Sequence, residues 1–229
     1  MRAILFDFNG VLVDDEPIHL ELMQRVLADE AVELTESQYY ERYLGFPDRA
    51  CLEKVFADRG IDAPPDLVSR LLARKAAYYM MRMRGDGYPV VPGAPELVTA
   101  AADSGLMLGV VTGALRDEVE GALEQMGVRS AFKSVVAAED VSRGKPDPEG
   151  FRKGLQELSA LPPLPERLIH PHEVVAIEDS PAGLAAASAV GLHTLAVAQT
   201  YPAERLGAAE EVVGSLAELS IPELRKLFP

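Results

Sequence analysis

Asp7, Thr112, Glu178 and Asp179 each stand where a short apolar run stops, and Lys145 lies in a Gly-Lys-Pro-Asp-Pro stretch. Gathered in one place, such groups could handle a phosphoryl group. A carboxylate can attack phosphorus, but carboxylate and phosphate repel each other. A lysine and a divalent cation between them would remove that barrier. Taken singly, each residue has an ordinary role. Asp7 could cap a turn, and Glu178 and Asp179 could open a helix ahead of Ser180-Pro181. Lys145 could be solvated, and Thr112 could be a strand-end hydroxyl. The most informative residue is Asn9, two positions after Asp7 and directly before Gly10. Unlike the carboxylates around it, its amide has no proton to exchange at neutral pH.

The elements that must position these groups follow from the hydrophobic pattern. Residues 2–8, 106–112, 133–137, 173–177 and 192–197 are short runs rich in Val, Leu and Ile. Helical patterns occupy 94–104, 115–127, 148–159 and 181–190. Strands alternating with helices predict an α/β fold with a doubly wound parallel sheet. Such sheets carry their chemistry at the carboxyl ends of the strands. Residues 16–86 contain no convincing strand. Ile18, Leu22 and Val26 recur every four residues behind Pro17, which suits a first helical turn. Val68, Leu71, Leu72, Ala76 and Tyr79 form a second stripe. Tyr78, Tyr79 and the methionines at 80, 81 and 83 read as core or interface. The expectation is a Rossmann-like core, residues 1–15 and 88–229, interrupted by an all-helical insert, residues 16–87. The joining segments are 14–16 and 85–92, the latter with two glycines and two prolines. Residues 160–171 hold four prolines and read as a surface loop.

A chain of 229 residues, 48% apolar, can bury a real core. Its net charge of −14 argues against nucleic acid and against an anionic membrane surface. A phosphorylated substrate stays open, because a local cation and lysine can reverse the field in one site. The single cysteine, Cys51, precludes an intramolecular disulfide framework and suits a reducing compartment. No leader and no membrane-length apolar run is seen, so a cytoplasmic protein with no obligate protein partner is expected.

Four segments together resemble the haloacid dehalogenase superfamily of phosphoryl-transfer enzymes. They are Asp7-Phe8-Asn9-Gly10-Val11, Val110-Val111-Thr112-Gly113, Gly144-Lys145-Pro146-Asp147-Pro148 and Val174-Val175-Ala176-Ile177-Glu178-Asp179-Ser180-Pro181-Ala182-Gly183. The resemblance spans the chain and is nearest to the branch with a small helical cap, which includes phosphoglycolate-type phosphatases and β-phosphoglucomutase. It implies Asp7 as a nucleophile that becomes an aspartyl phosphate. It implies Mg2+ held directly by Asp7, Asp179 and the backbone carbonyl of Asn9, with Glu178 acting through water. Thr112 and the N–H groups of Gly113 and Ala114 would contact phosphate at a helix N-terminus, and Lys145 would neutralise both anions. In the cap, Gly45-Phe46-Pro47-Asp48-Arg49 resembles a substrate-reading loop. Arg49 there is either a contact for the substrate's distal end or a surface arginine. His19 either lies near the acid/base position or is a satisfied hinge histidine. His170, His172 and His193 carry no motif.

The resemblance implies a Mg2+-dependent phosphatase acting on a small phosphorylated metabolite, attenuated by Asn9. A β-phosphoglucomutase-like phosphotransferase is the alternative, weakened because Thr112-Gly113 replaces the usual serine-containing pattern. Several consequences of Asn9 are open. The chain could favour substrates with good leaving groups, hold a long-lived aspartyl phosphate, or bind a phosphorylated ligand without turning it over. The amide could be an exchange introduced to trap a complex. Finally, Asn-Gly is prone to deamidation, which would create a carboxylate at position 9 and activate a precursor if the turn is flexible enough.

Overall fold

The computed structural model describes residues 1–162 and 164–229. They divide into two compact units, Met1–Asp14 with Tyr88–Pro229, and Asp15–Gly87.

The first unit is built on a parallel sheet. Its strands are β1 (Ala3–Phe6), β2 (Met107–Val111), β3 (Phe132–Val136), β4 (Val174–Glu178), β5 (His193–Val197) and β6 (Glu211–Val213), in the spatial order β3-β2-β1-β4-β5-β6. All pairings are parallel. The four residues of β1 are fully buried, as a parallel strand covered on both faces requires. This is why its sequence is continuously apolar rather than alternating. Helices α5 (Ala94–Asp103), α6 (Arg116–Gln125), α7 (Glu149–Ala160), α8 (Pro181–Val190) and α9 (Ile221–Leu227) complete the unit. Two apolar clusters result. One contains Ile4, Phe6, Val110 and Ile177. The other contains Leu5, Val111, Phe151 and Ala176. Neighbouring residues of β1 thus point to opposite faces.

Strand order reverses at β1: β2 lies on one side and β4 on the other. The carboxyl ends of these strands deliver Asp7, Thr112 and Glu178. The register puts Phe6 beside Val110 and Ile177, so the residues that follow leave the sheet at one level.

The second unit holds the remaining helices, α1 (Glu16–Ala28), α2 (Glu36–Arg42), α3 (Asp48–Asp58) and α4 (Pro65–Asp86). Their shared core includes Met23, Val26, Leu52, Phe56, Val68 and Leu71. Of the two stripes read from the sequence, Val26, Val68 and Leu71 lie in this core and Leu72 packs against it, while Leu22 and Tyr79 are buried outside it and Ile18 is half-buried. One member of the α4 face breaks the pattern: Lys75 is buried. Two elements were not anticipated. β6 has three residues and lies exposed at the sheet edge. α9 opens on Ser220, whose hydroxyl accepts from the Glu223 N–H while the Glu223 carboxylate accepts from the Ser220 N–H.

Candidate active site

The chain turns sharply after β1. The Phe8 carbonyl accepts from the N–H groups of Val11, Leu12 and Val13, and the Gly10 N–H donates to the Val13 carbonyl at 2.7 Å. Gly10 has φ +74°, a left-handed conformation that favours glycine. Space enforces the same choice. A Cβ at position 10 would lie 1.8 Å from Asp179 Oδ2 and 2.5 Å from Thr200 Oγ1. The outgoing chain then pairs with the returning one, Asp14 N–H to the Pro89 carbonyl and Val91 N–H to the Leu12 carbonyl. This turn also bears on deamidation. The nitrogen that must attack the Asn9 amide is the Gly10 N–H already held by Val13, so the turn has to open before a succinimide can close.

Asp7 extends the β1–β4 pairing by one bond, its N–H donating to the Ile177 carbonyl at 2.8 Å. Its carboxylate thereby meets those of Glu178 and Asp179. One ligand atom from each of the three lies within 4.8 Å of the other two, and all three residues are buried. Lys145 donates to Asp7 Oδ1 at 2.5 Å and to the Val111 carbonyl at 2.9 Å. Its Nζ is also 2.5 Å from Glu178 Oε1. That contact is an ion pair without hydrogen-bond alignment, which leaves Oε1 with no donor. The other oxygen, Oε2, accepts from the Asp179 N–H and the Ser180 hydroxyl. Gly183 makes room for this carboxylate, since a Cβ there would lie about 2.0 Å from it.

The electrostatics follow from three acids facing one ammonium. Burial, then repulsion from Asp7, pushes the Glu178 carboxyl up to about 7. Burial, then the charges of Asp7 and Glu178, raises Asp179 well above the usual carboxylate range. For Lys145 burial works against the charge, but Asp7 and Glu178 outweigh it and hold the ammonium protonated. With all three carboxylates ionised, the one lysine leaves two negative charges uncompensated. A hard divalent cation with oxygen ligands fits that deficit, and Glu178 Oε1, which takes no aligned hydrogen bond, is a buried oxygen that can face it.

Thr112 lies at the end of β2 and is 5% exposed. Its Oγ1 accepts from the Ala114 N–H at 3.0 Å. That amide, expected to face an anion, is spent within the turn, while the hydroxyl proton of Thr112 and the N–H of Gly113 remain as candidate donors. Asp7, Asn9, Thr112, Gly113, Ala114, Lys145, Glu178 and Asp179 all belong to the first unit. His19 and Arg49 belong to the second. Arg49 is exposed, 3.7 Å from Glu53 and 3.4 Å from Ser69. His19 is bonded to Lys75 and Asp15. Sequence reasoning gave no role to Ser180, Gly183 or Thr200. Ser180 and Gly183 stand inside the quoted fourth segment. Thr200 had only its place just past β5 to recommend it.

The site is a buried acid cluster with a lysine at the carboxyl edge of a doubly wound sheet, and comparison with known proteins gives the class and the family. Residues 4–197 match the haloacid dehalogenase-like hydrolase family, and the chain belongs to it. It is 30% identical over 223 residues to validoxylamine A 7'-phosphate phosphatase of Streptomyces hygroscopicus subsp. limoneus, covering 97% of this chain and 98% of that protein. It is 27% identical to phosphoglycolate phosphatase of Rhodospirillum rubrum, covering 96% and 86%. Among solved structures it is similar to CbbY from Rhodobacter sphaeroides, an aspartate-to-asparagine mutant in complex with xylulose-(1,5)bisphosphate. That likeness has 26% identity and a TM-score of 0.84 over 96% of both chains.

Proposed function

We propose that this chain is a Mg2+-dependent phosphatase of small phosphorylated metabolites, working through an aspartyl phosphate at Asp7. The observation that carries the reading is the buried set Asp7, Glu178 and Asp179 against the single ammonium of Lys145. Related proteins named as phosphatases of a validoxylamine phosphate and of phosphoglycolate support the substrate class. Asp7, Asp179 and the backbone carbonyl of Asn9 would hold Mg2+, with Glu178 through water. When bound, the ion would supply charge neutralisation for the incoming phosphate.

In the first step an Asp7 carboxylate oxygen bonds to phosphorus, and the bond to the leaving oxygen breaks with its electron pair. Lys145, already 2.5 Å from Asp7 Oδ1, steadies the charge on both partners. Thr112 and Gly113 would orient the phosphoryl oxygens. In the second step water attacks the phosphorylated Asp7 and frees the carboxylate. Both steps ask for a proton relay at position 9, and an amide offers none. The protein as it stands should therefore favour aryl phosphates, whose leaving groups need little protonation. The second unit would act as a cap that excludes water when substrate is bound.

A second reading rests on the same residue: a protein that binds a phosphorylated ligand and turns it over slowly. The bisphosphate complex of an asparagine-bearing CbbY mutant favours it. One assay separates the two. Aryl and alkyl phosphate hydrolysis is measured with and without Mg2+ in wild type, Asp7→Ala and Asn9→Asp. The phosphatase reading expects Mg2+-dependent aryl turnover lost in Asp7→Ala. It also expects a gain on alkyl phosphates of about 10²-fold or more in Asn9→Asp. A phosphoryl mass increment on the Asp7 peptide marks the intermediate. Aryl turnover that survives Asp7→Ala would overturn the nucleophile assignment. Tight phosphate binding without turnover, even in Asn9→Asp, would favour the binding protein.

A further inference from the structure

The loop that follows β5 is tied to β6 and to Asp14. Its Ala198 N–H donates to the Val213 carbonyl and its Gln199 N–H to the Val197 carbonyl, each at 2.9 Å. The Gln199 side-chain amide donates to Asp14 Oδ2 at 3.0 Å, where the chain leaves the first unit. The hydroxyl of the next residue, Thr200, lies beside the Asp179 carboxylate. Gly10 shows how closely these groups meet. The space that its missing Cβ leaves is taken by Asp179 Oδ2 and Thr200 Oγ1 together, 1.8 and 2.5 Å from where that atom would sit.

We propose that Thr200 is a positioning residue for Asp179: its hydroxyl fixes the carboxylate in the orientation that takes a divalent cation, and the Gln199–Asp14 bond holds the loop in place. The inference rests on the Mg2+ reading above. The physical need is plain. Asp179 faces the negative charges of Asp7 and Glu178, which favour swinging its carboxylate outward whenever no cation is bound. A hydroxyl donor beside the carboxylate counters that swing before the ion arrives. Outer partners of this kind orient a ligand, and losing one typically costs about 10–100-fold in metal affinity. The assignment is separate from the four motifs, because Thr200 lies beyond all of them.

The test is titration calorimetry with Mg2+ alone on the whole chain, alongside thermal unfolding of the metal-free protein. Four proteins are compared: wild type, Thr200→Val, Thr200→Ser and Asp179→Ala. Thr200→Val keeps the shape and removes the donor. It should weaken Mg2+ binding by about 10-fold or more, with metal-free unfolding unchanged. Thr200→Ser should restore affinity to within about 3-fold of wild type, because it restores the hydroxyl. Thr200 is only half-buried, so Thr200→Ala is a usable second variant if Thr200→Val does not fold. Equal affinity in wild type and Thr200→Val, with Asp179→Ala impaired, would overturn the positioning role and leave the metal site standing. A wild type that binds no Mg2+ would overturn the metal reading and this inference with it. A loss in Thr200→Val that Thr200→Ser does not rescue would show packing rather than the hydroxyl at work.

Discussion

Each of the two units buries a knot of charged side chains, and the two knots are built to opposite ends. In the first unit three carboxylates face one ammonium, and Glu178 Oε1 has no hydrogen-bond donor. In the second unit Lys75 donates to both oxygens of Asp48 and meets His19 Nδ1, all at 2.7 Å. A lysine can only donate, so Nδ1 accepts and the ring hydrogen sits on Nε2. There it faces Asp15 Oδ2 at 3.2 Å, and the Tyr79 hydroxyl donates to the same oxygen at 2.5 Å. Donor meets acceptor at each of these contacts. Buried charge alone therefore does not mark a site. In the first knot three buried acids crowd one ammonium, a set that suits a cation. In the second each of these contacts pairs a donor with an acceptor, as a connected polar network requires.

The sharpest way to break this contrast is to remove a carboxylate from the first knot. Asp179→Ala should cost about 10³-fold in Mg2+-dependent turnover of an aryl phosphate, as loss of the ion's charge stabilisation would. Glu178→Ala should weaken Mg2+ binding less, since that contact would run through water. Unchanged Mg2+ affinity in Asp179→Ala, by calorimetry, would show that the site is elsewhere.

Proton linkage tests the same knot without mutation. The Glu178 carboxyl, near 4.5 when unfolded, rises to about 7 in the metal-free fold. The folded state thus binds the extra proton between those values. Its contribution to stability is full below about pH 4.5 and is lost as pH rises through about 7. Mg2+ competes with that proton, so it should raise the unfolding temperature by several degrees near pH 8 and by little near pH 5.5. A shift equal at both values, in matched thermal scans, would mean that the ion does not meet these acids. Lys75→Met probes the second knot instead. It strips donors from Asp48 and His19, and should cost about 2 kcal/mol, since the Asp48 side chain is 44% exposed and water can replace part of the loss. The unfolding midpoint should fall by roughly 4–8 °C. Mg2+ affinity should hold steady; a parallel loss would mean that the two knots are coupled.

The first knot was legible in the sequence because Asp7, Glu178 and Asp179 follow apolar runs and because the four segments together resemble one family; Lys145, in a loop, was read from that resemblance alone. The structure brings the four together from positions up to 172 residues apart (179 − 7). The second knot was not legible. Lys75 interrupts an apolar stripe, and an isolated lysine on a helix reads as solvated until Asp48 and His19 are seen around it. β6 escaped for a different reason: three residues at a sheet edge, two of them exposed, are too few to show a periodicity. α9 did carry a readable signal in Ser220 and Glu223, the reciprocal cap spacing. The contact of Thr200 with Asp179 joins two loops through tertiary geometry, and no local pattern encodes it.

The smallest expected effect belongs to Arg49, which lies in the second unit but outside its buried knot. Its guanidinium is about half exposed, 3.7 Å from Glu53 on the next turn of α3. Exposed pairs of this spacing contribute about 0.5 kcal/mol or less, so Arg49→Ala should leave the unfolding midpoint nearly unchanged. The side chain is therefore cheap to redirect, which is what a substrate-reading arginine needs. A solvated guanidinium meeting a second anionic group should give a modest attraction, on the order of 1 kcal/mol. Arg49→Ala should then raise KM for a doubly anionic substrate by about 5-fold, with kcat unchanged and small aryl phosphates unaffected. That split matters more than its size. An arginine that only decorates the surface would leave both KM values alone, and one that supports the fold would damage both substrates equally. Either result would remove Arg49 from substrate recognition.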